Sequence, residues 1–108
     1  MTNTVIEDVD LKTLKAGLAN GSIVLIDVRE ANEWDSGHIR GAKHNALSRF
    51  DVGAIPVVSG KKIVLHCRSG KRSASALAAA QAAGRQDVCA HFGGGMLAWQ
   101  AAGEPLER

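Results

Sequence analysis

The sequence predicts an α/β fold in which helices cover both faces of a parallel sheet. Two continuous β-branched runs, SIVLIDV at 22–28 and KKIVLHC at 61–67, are typical of strands buried on both faces. A helical pattern follows each run, and this alternation is typical of parallel sheets. The 108 residues fit one domain, with predicted bounds of 1–108 and a core of about 5–107.

The first half of the chain is predicted to contain two helices around the first buried strand. Ile6 belongs to a short extended lead, and Asp10 can cap a helix that ends at Gly21. After the first β-branched run, EANEWDSG predicts a short helix that ends at Gly37. A weaker strand is predicted near 42–46.

The second half repeats the alternation. SRFDVGAI, at 48–55, predicts a turn or a short helix, and KRSASALAAAQAAG predicts a helix over 71–84. DVCAHF predicts a third strand over 87–92, and a glycine turn then precedes the last helix. Ligands of such sheets bind at the carboxyl ends of the strands, which is where Cys67 stands.

Composition and charge argue against several classes of protein. The chain is 45% hydrophobic and 22% charged, as an ordered globular domain is. A net charge of +2 without an aromatic-interleaved basic stripe argues against nucleic-acid binding, and two cysteines without a CxxC pair argue against a disulfide scaffold or a zinc site. No apolar run reaches the roughly 18 residues of a membrane span, and no signal peptide is visible. We therefore expect a cytoplasmic protein with no membrane partner.

The loop HCRSGKRS is predicted to bind an anion beside the Cys67 thiol. It joins a strand to a helix, so its backbone N–H groups and the start of the helix favour negative charge. Gly70 lets these amides approach a ligand, and Arg68, Lys71 and Arg72 add cations. Cys67 is the candidate nucleophile, and the alternative is a core cysteine at the end of a strand. The candidate substrate-binding residues are Arg68, Ser69, Gly70, Lys71, Arg72 and Ser73.

A lowered thiol pKa alone explains little of the expected reactivity. A fall from about 8.5 to about 6.5 raises the thiolate fraction at neutral pH roughly 25-fold. Intrinsic nucleophilicity falls roughly 8-fold over the same range, which leaves about a threefold gain. The loop cations are therefore expected to act mainly by positioning an anionic substrate and its leaving group.

Three stretches resemble the rhodanese-type sulfurtransferase family. The first is DVREANEWDSGHIRGA at 27–42, the second is CRSGKRS at 67–73 and the third is GGGMLAWQAAGEPLE at 93–107. They occur along the chain in the same order as in the family. One departure is Arg40, where the family usually has proline. The resemblance covers nearly the whole chain. It implies a single rhodanese-like domain with a five-stranded, mainly parallel sheet flanked by helices on both faces.

The resemblance also implies a mechanism. The Cys67 thiolate would take the outer sulfur of a small anionic donor such as thiosulfate and release sulfite. The resulting persulfide would pass that sulfur to cyanide or to a cellular thiol, such as glutathione or a thioredoxin-like protein. Neither transfer requires a metal or another cofactor.

Loop length and charge bear on the substrate. Family members that act on phosphate or arsenate have arginine six positions after the cysteine, whereas Arg72 stands five positions after Cys67. The shorter loop favours a persulfide sulfur, and its basic residues favour thiosulfate over 3-mercaptopyruvate. Two other functions stay open: a persulfide relay or interaction module that receives sulfur from a protein partner, and a phosphatase or arsenate reductase on the same fold. A redox-sensor role for Cys67 also stays open.

Further residues near the predicted site have two interpretations each. Asp27 and Arg29 end the first buried strand and are candidates for the pocket wall, but Arg29 could instead pair with Glu33 or Glu30. Phe50 is a candidate apolar wall.

Three features outside the loop are given structural interpretations first. His66 directly precedes Cys67, so its side chain is expected on the opposite face of the sheet. Cys89 is interpreted as a core thiol, with a resolving cysteine as the alternative. The glycines at 93–95 are interpreted as a tight turn, because they do not form a phosphate-loop sequence.

Overall fold

In the computed structural model, which describes residues 3–108, strands and helices alternate along the chain as the sequence predicts. The first two residues of the predicted domain, Met1 and Thr2, lie outside the described residues. The strands are β1 (Glu7–Asp8), β2 (Ile23–Asp27), β3 (Lys43–His44), β4 (Lys62–His66) and β5 (Ala90–His91). The helices are α1 (Leu11–Asn20), α2 (Ala31–Asp35), α3 (Lys71–Ala82) and α4 (Gly95–Ala101), and two short 3-10 turns cover Leu47–Arg49 and Val52–Ala54.

The five strands form one sheet in the order β1-β5-β4-β2-β3, and every neighbouring pair is parallel. This confirms the five-stranded α/β fold and makes the sheet wholly parallel. The longest pairing joins β2 to β4, from Ile23 opposite Lys62 to Asp27 opposite His66. The strand predicted over 87–92 is shorter, because the N–H of Val88 donates to the carbonyl of Arg85 in a preceding turn.

Polar caps and glycines set the ends of the helices near their predicted positions. The carboxylate of Asp10 accepts the N–H of Thr13 at 2.8 Å, and α1 ends at Gly21, whose φ of 77° is left-handed. The longest helix, α3, has 12 residues. In residues 3–108, no helix has both the length and the apolar composition needed to cross a membrane.

Helices pack on both faces of the sheet, as expected, and the two faces have separate cores. On one face α3 and the segment at 47–55 cover residues of β2 and β4, and this core includes the side chain of Cys67. On the other face α1 and α4 cover Leu25 and Val64. Because strand side chains alternate, Asp27 and His66 belong to the α1 and α4 face, opposite the Cys67 side chain.

Candidate active site

Backbone amides of the loop between β4 and α3 converge on the Cys67 thiol. The Cys67 side chain is fully buried, and its Sγ accepts the N–H of Gly70 at 3.1 Å and the N–H of Ser73 at 3.3 Å. Gly70 has a φ of 96°, and a Cβ there would lie 2.6 Å from the carbonyl oxygen of Gly93. Glycine is therefore required for the loop to fold back over the sulfur.

The pKa of the Cys67 thiol reflects opposing effects. Burial is the largest single influence and raises the pKa, because it disfavours the charged thiolate. The N–H and hydroxyl of Ser73 and the N–H groups of Ser69 and Gly70 stabilise the thiolate. Together they outweigh burial, and the pKa lies below its ordinary value.

Arg72 is paired with a carboxylate from the other half of the chain. Its two terminal nitrogens donate to the carboxylate of Glu33 at 2.6 Å and 2.9 Å. These hydrogen bonds raise the pKa of Arg72 and lower that of Glu33 to about 2. The suggested pairing of Glu33 with Arg29 is therefore wrong. Glu33 offsets much of the charge of Arg72, whose role in substrate binding stays a prediction.

The pair of Glu33 and Arg72 should make stability depend on acid pH. Its contribution is complete above the usual glutamate pKa of 4.5 and is lost as pH falls from 4.5 through about 2. Because the pair is partly exposed, we expect Glu33→Gln to cost only about 0.5–1 kcal/mol of unfolding free energy at pH 6. Urea unfolding should show that this difference vanishes near pH 2. A difference that stays constant with pH would contradict this account.

The other two loop cations, Arg68 and Lys71, lie at the surface. Within residues 3–108, neither of them forms an ion pair with a carboxylate. Arg68 lines a pocket of about 220 Å³ together with Arg29, Glu33 and Met96. These cations are therefore available to an anion approaching the loop.

Asp27 and Arg29 form a buried ion pair with each other. Nε and Nη2 of Arg29 donate to Oδ2 of Asp27 at 3.0 Å and 2.8 Å, and Nη2 also donates to the carbonyl of Gly37 at 2.8 Å. Pairing of Arg29 with Glu33 or Glu30, the alternative suggested by the sequence, does not occur. Asp27 is fully buried on the face opposite the Cys67 side chain, so of the two candidate wall residues only Arg29 reaches a pocket beside the loop.

His66 and Phe50 lie on opposite faces of the sheet. Nε2 of His66 lies 3.5 Å from Oδ2 of Asp27, which confirms that the ring points away from the thiol, and burial lowers the pKa of this histidine. Phe50 is partly buried and packs against the core that contains Cys67. Its role as an apolar wall of the site stays a prediction.

Sequence reasoning missed His91, which the structure connects to the Cys67 site. Nδ1 of His91 and Oγ of Ser73 form a hydrogen bond of 2.8 Å, and Oγ of Ser73 lies 3.6 Å from Sγ of Cys67. His91 ends β5, at the same edge of the sheet as Cys67. The rule that carboxyl ends of parallel strands meet at one edge could therefore have identified this residue.

The glycine turn at 93–95 and the start of α4 pack against the loop that follows Cys67. The first N–H groups of α4 are used there, since Met96 donates to the carbonyl of Cys67 at 2.9 Å and Leu97 to that of Arg68 at 3.1 Å. Gly95 has a φ of 60°, and a Cβ on it would lie 2.4 Å from the carbonyl oxygen of Arg68. The interpretation of these glycines as a tight packing turn is confirmed.

Both cysteines are free thiols. Cys89 is partly buried, and its carbonyl accepts the N–H of Glu7. Among residues 3–108, no group of three or more His, Cys, Asp or Glu side chains is placed to hold a metal ion.

Several curated relatives of this chain are named as sulfurtransferases or probable sulfurtransferases. The uncharacterized protein slr1261 of Synechocystis is 39% identical over 94 residues, which cover 87% of this chain but only 52% of that protein. A protein of Allochromatium vinosum named sulfurtransferase is 27% identical over 103 residues, covering 94% of this chain and 95% of that protein. The chain thus spans about half of its relative slr1261 and nearly all of the second protein.

Solved structures with the same fold carry two different functional descriptions. The human single-domain sulfurtransferase TSTD1 matches with a TM-score of 0.73 and 26% identity, covering 87% of this chain and 95% of that one. The protein RPA3614 of Rhodopseudomonas palustris, described as a possible tyrosine phosphatase, matches with a TM-score of 0.78 and 30% identity, covering 94% and 85%. The family model of the rhodanese-like domain matches residues 10–102. The chain therefore belongs to the rhodanese-like domain family.

Proposed function

We propose that this protein is a thiosulfate sulfurtransferase that carries sulfur as a persulfide on Cys67. The observation that carries the proposal is the convergence of the Gly70 and Ser73 N–H groups on Sγ, at 3.1 Å and 3.3 Å. Such donors stabilise a sulfur anion and cost no reorganisation when the reaction occurs. A loop built around a sulfur anion suits a reaction in which the same sulfur is both attacking group and leaving group.

The reaction proceeds in two balanced steps. The Cys67 thiolate attacks the outer sulfur of thiosulfate, and a new S–S bond forms while the bond to the sulfite sulfur breaks. Sulfite leaves with the electron pair of the broken bond, and Cys67 holds a persulfide. An acceptor such as cyanide then attacks the outer sulfur and leaves as thiocyanate, which returns the Cys67 thiolate to the N–H groups of Gly70 and Ser73.

The charges around the loop support an anionic donor. Thiosulfate and sulfite are both dianions, so cations at the rim favour both the approach and the departure of the leaving group. Arg68 and Lys71 are exposed and free of carboxylate partners within the described part of the chain, whereas Arg72 is paired with Glu33. We therefore assign donor binding mainly to Arg68 and Lys71.

The burial of Cys67 bears on the acceptor. Its side chain is fully buried, so a small nucleophile reaches the persulfide more easily than a folded protein does. Cyanide and glutathione fit this restriction best, and a thioredoxin-like protein or a relay partner would have to reach the outer sulfur of the persulfide. We place the reaction in the reducing cytoplasm, where the free thiols of Cys67 and Cys89 persist.

The test is incubation of the protein with thiosulfate and cyanide. We expect thiocyanate to form, and in the absence of cyanide we expect intact-protein mass spectrometry to show a gain of about 32 Da, the mass of one sulfur. Peptide mapping should place the adduct on Cys67. Absence of both thiocyanate and adduct would refute the proposal, and an adduct acquired only from a protein donor would identify a persulfide relay instead.

A second candidate is phosphate-ester hydrolysis, which the description of RPA3614 as a possible tyrosine phosphatase favours at 30% identity. The position of arginine argues against it, since Arg72 stands five residues after Cys67 and is paired with Glu33. Turnover of an aryl phosphate by the same preparation, with no persulfide formed, would favour this candidate.

A further inference from the structure

We propose that His91 is a positioning residue that exchanges a proton with Cys67 through the hydroxyl of Ser73. The inference rests on the proposed function, in which Cys67 must be a thiolate each time a donor arrives. The backbone N–H groups around Sγ give no role to His91, although this histidine is buried and hydrogen-bonded to Ser73. The hydrogen bond of His91 is to Ser73 and not to Sγ itself, so His91 acts only through Ser73.

The Ser73 hydroxyl lies between the two groups and carries a single proton. Its Oγ is 2.8 Å from Nδ1 of His91, 3.6 Å from Sγ of Cys67 and 3.1 Å from the carbonyl oxygen of Gly70. A hydroxyl can accept one hydrogen bond while donating another. The Gly70 carbonyl also accepts the N–H of Ala74 at 3.1 Å, so it does not depend on the hydroxyl proton. The direction of that proton therefore depends on which of the two titratable neighbours is protonated.

Two arrangements of protons fit these distances. In the first, the Cys67 thiol donates to Oγ of Ser73, whose hydroxyl donates to an unprotonated Nδ1 of His91. In the second, Nδ1–H donates to Oγ, and the hydroxyl donates to the Cys67 thiolate. The first becomes the second when two protons move together. The S–H bond of Cys67 breaks and its proton forms a new O–H bond on Ser73, while the original O–H bond of Ser73 breaks and its proton forms a new N–H bond on Nδ1 of His91. The proton count is unchanged, and the product is a thiolate beside an imidazolium.

The surroundings of His91 leave this connection shielded from water. His91 is only 8% exposed, and Ser73 and Cys67 are fully buried. A hydrogen-bonded path in such a low-dielectric site transmits charge more strongly than one at the surface.

Few other charges face the His91 ring. From β1, Asp8 lies opposite His91, and its carboxylate accepts the N–H of Gly93. Glu7 of the same strand is paired with Lys62, and from β4 the residue opposite His91 is the apolar Leu65. From α3 the groups are the Ser73 hydroxyl and, at the exposed start of the helix, the cations Lys71 and Arg72.

The experiment is a pH titration of Cys67, followed by the ultraviolet absorbance of its thiolate in a Cys89→Ser background. With His91 present, we expect thiolate formation in two steps, because the Ser73 hydroxyl couples the Cys67 thiol to the imidazole. His91→Asn retains a hydrogen-bonding group near the position of Nδ1 but does not titrate. We expect it to leave one step, shifted upward by about one pH unit, which is roughly a tenfold loss of thiolate in acid.

A double-mutant cycle shows whether the effect passes through Ser73. In a Ser73→Ala background, His91→Asn should shift the titration no further, whereas Ser73→Thr, which keeps a hydroxyl, should preserve the shift. His44→Asn, at an exposed histidine whose ring stacks on Trp34 and whose Nε2 lies 2.7 Å from the carbonyl oxygen of Arg29, should leave the titration unchanged. An equal shift with and without the Ser73 hydroxyl, or no shift at all, overturns the proposal.

A second measurement keeps Cys67, Ser73 and His91 unchanged, so that its result does not depend on whether the substituted proteins fold. Nitrogen NMR of the His91 ring in the Cys89→Ser protein should show Nδ1 changing in step with Cys67 ionisation, and a ring that ignores Cys67 overturns the proposal. Neither readout needs a sulfur donor. Coupling without thiocyanate formation would therefore refute only the proposed function, and thiocyanate formation without coupling would refute only the role of His91.

Discussion

Cys67→Ser is expected to abolish both thiocyanate formation and the sulfur adduct. A serine hydroxyl is scarcely ionised near neutral pH, and it cannot hold the transferred sulfur as a persulfide. The N–H groups of Gly70 and Ser73 would still find an oxygen acceptor, so the loop should keep its conformation. We expect a loss of about 10³-fold or more in kcat/KM, down to the uncatalysed rate.

Cys89→Ser is the matched control for this substitution. Cys89 is the other free thiol, and it lies before β5 and outside the loop around Cys67. Its replacement should leave the rate of thiocyanate formation and the mass adduct unchanged. Retention of the adduct by Cys67→Ser, or its loss in Cys89→Ser, would move the nucleophile to Cys89. Unfolding curves of both variants should be compared, since Cys67→Ser is expected to cost only about 1 kcal/mol.

Gly95→Ala is expected to reduce both stability and activity, although residue 95 carries no reactive group. The new Cβ would lie 2.4 Å from the carbonyl oxygen of Arg68 and 2.6 Å from that of Cys67, both of them backbone atoms that cannot rotate aside. The loop or α4 must then shift, which weakens the hydrogen bonds from Met96 and Leu97 to these carbonyls. We expect a loss of about 2–4 kcal/mol in unfolding free energy. Because displacement of reacting groups by an ångström costs about 100-fold, kcat/KM should fall by at least tenfold below the melting temperature.

Gly21→Ala separates backbone strain from displacement of the loop. Gly21 also has a positive φ, 77°, but nothing lies within 4 Å of its added Cβ. It ends α1 away from the site, so the substitution should cost about 1 kcal/mol and leave kcat/KM unchanged. Comparable stability and activity in Gly95→Ala and Gly21→Ala would show that the close approach at Gly95 does not support the loop.

Local patterns were enough to predict most of the fold and the position of the thiol. The β-branched runs at 22–28 and 61–67 form the two longest strands, and Gly21 and Gly84 lie just beyond the helices that they were predicted to end. Cys67 was placed correctly because the end of a strand and the start of a helix are both local features. Strand runs and helix ends depend on residues that are close together in the sequence, so the sequence alone is enough to predict them.

Pairings between distant side chains could not be predicted in the same way. Arg72 and Glu33 are 39 residues apart, and Ser73 and His91 are 18 apart. Their contact depends on the order of strands in the sheet and on where α2 and α3 begin. The sequence showed the charge of Arg72 but not the carboxylate that offsets it, and charge alone could not distinguish a free cation from a paired one.

The hydrogen bonds from α4 to the Cys67 loop have a consequence for synthesis on the ribosome. Met96 and Leu97 leave the exit tunnel roughly 30 residues after the carbonyls that they hold, a delay of roughly 1.5–6 s at about 5–20 residues per second. Throughout that delay the nascent chain carries the cysteine without the support that fixes its loop. The sulfur nucleophile thus matures only when the last helix docks, so unfinished chains leaving the exit tunnel expose a more ordinary thiol.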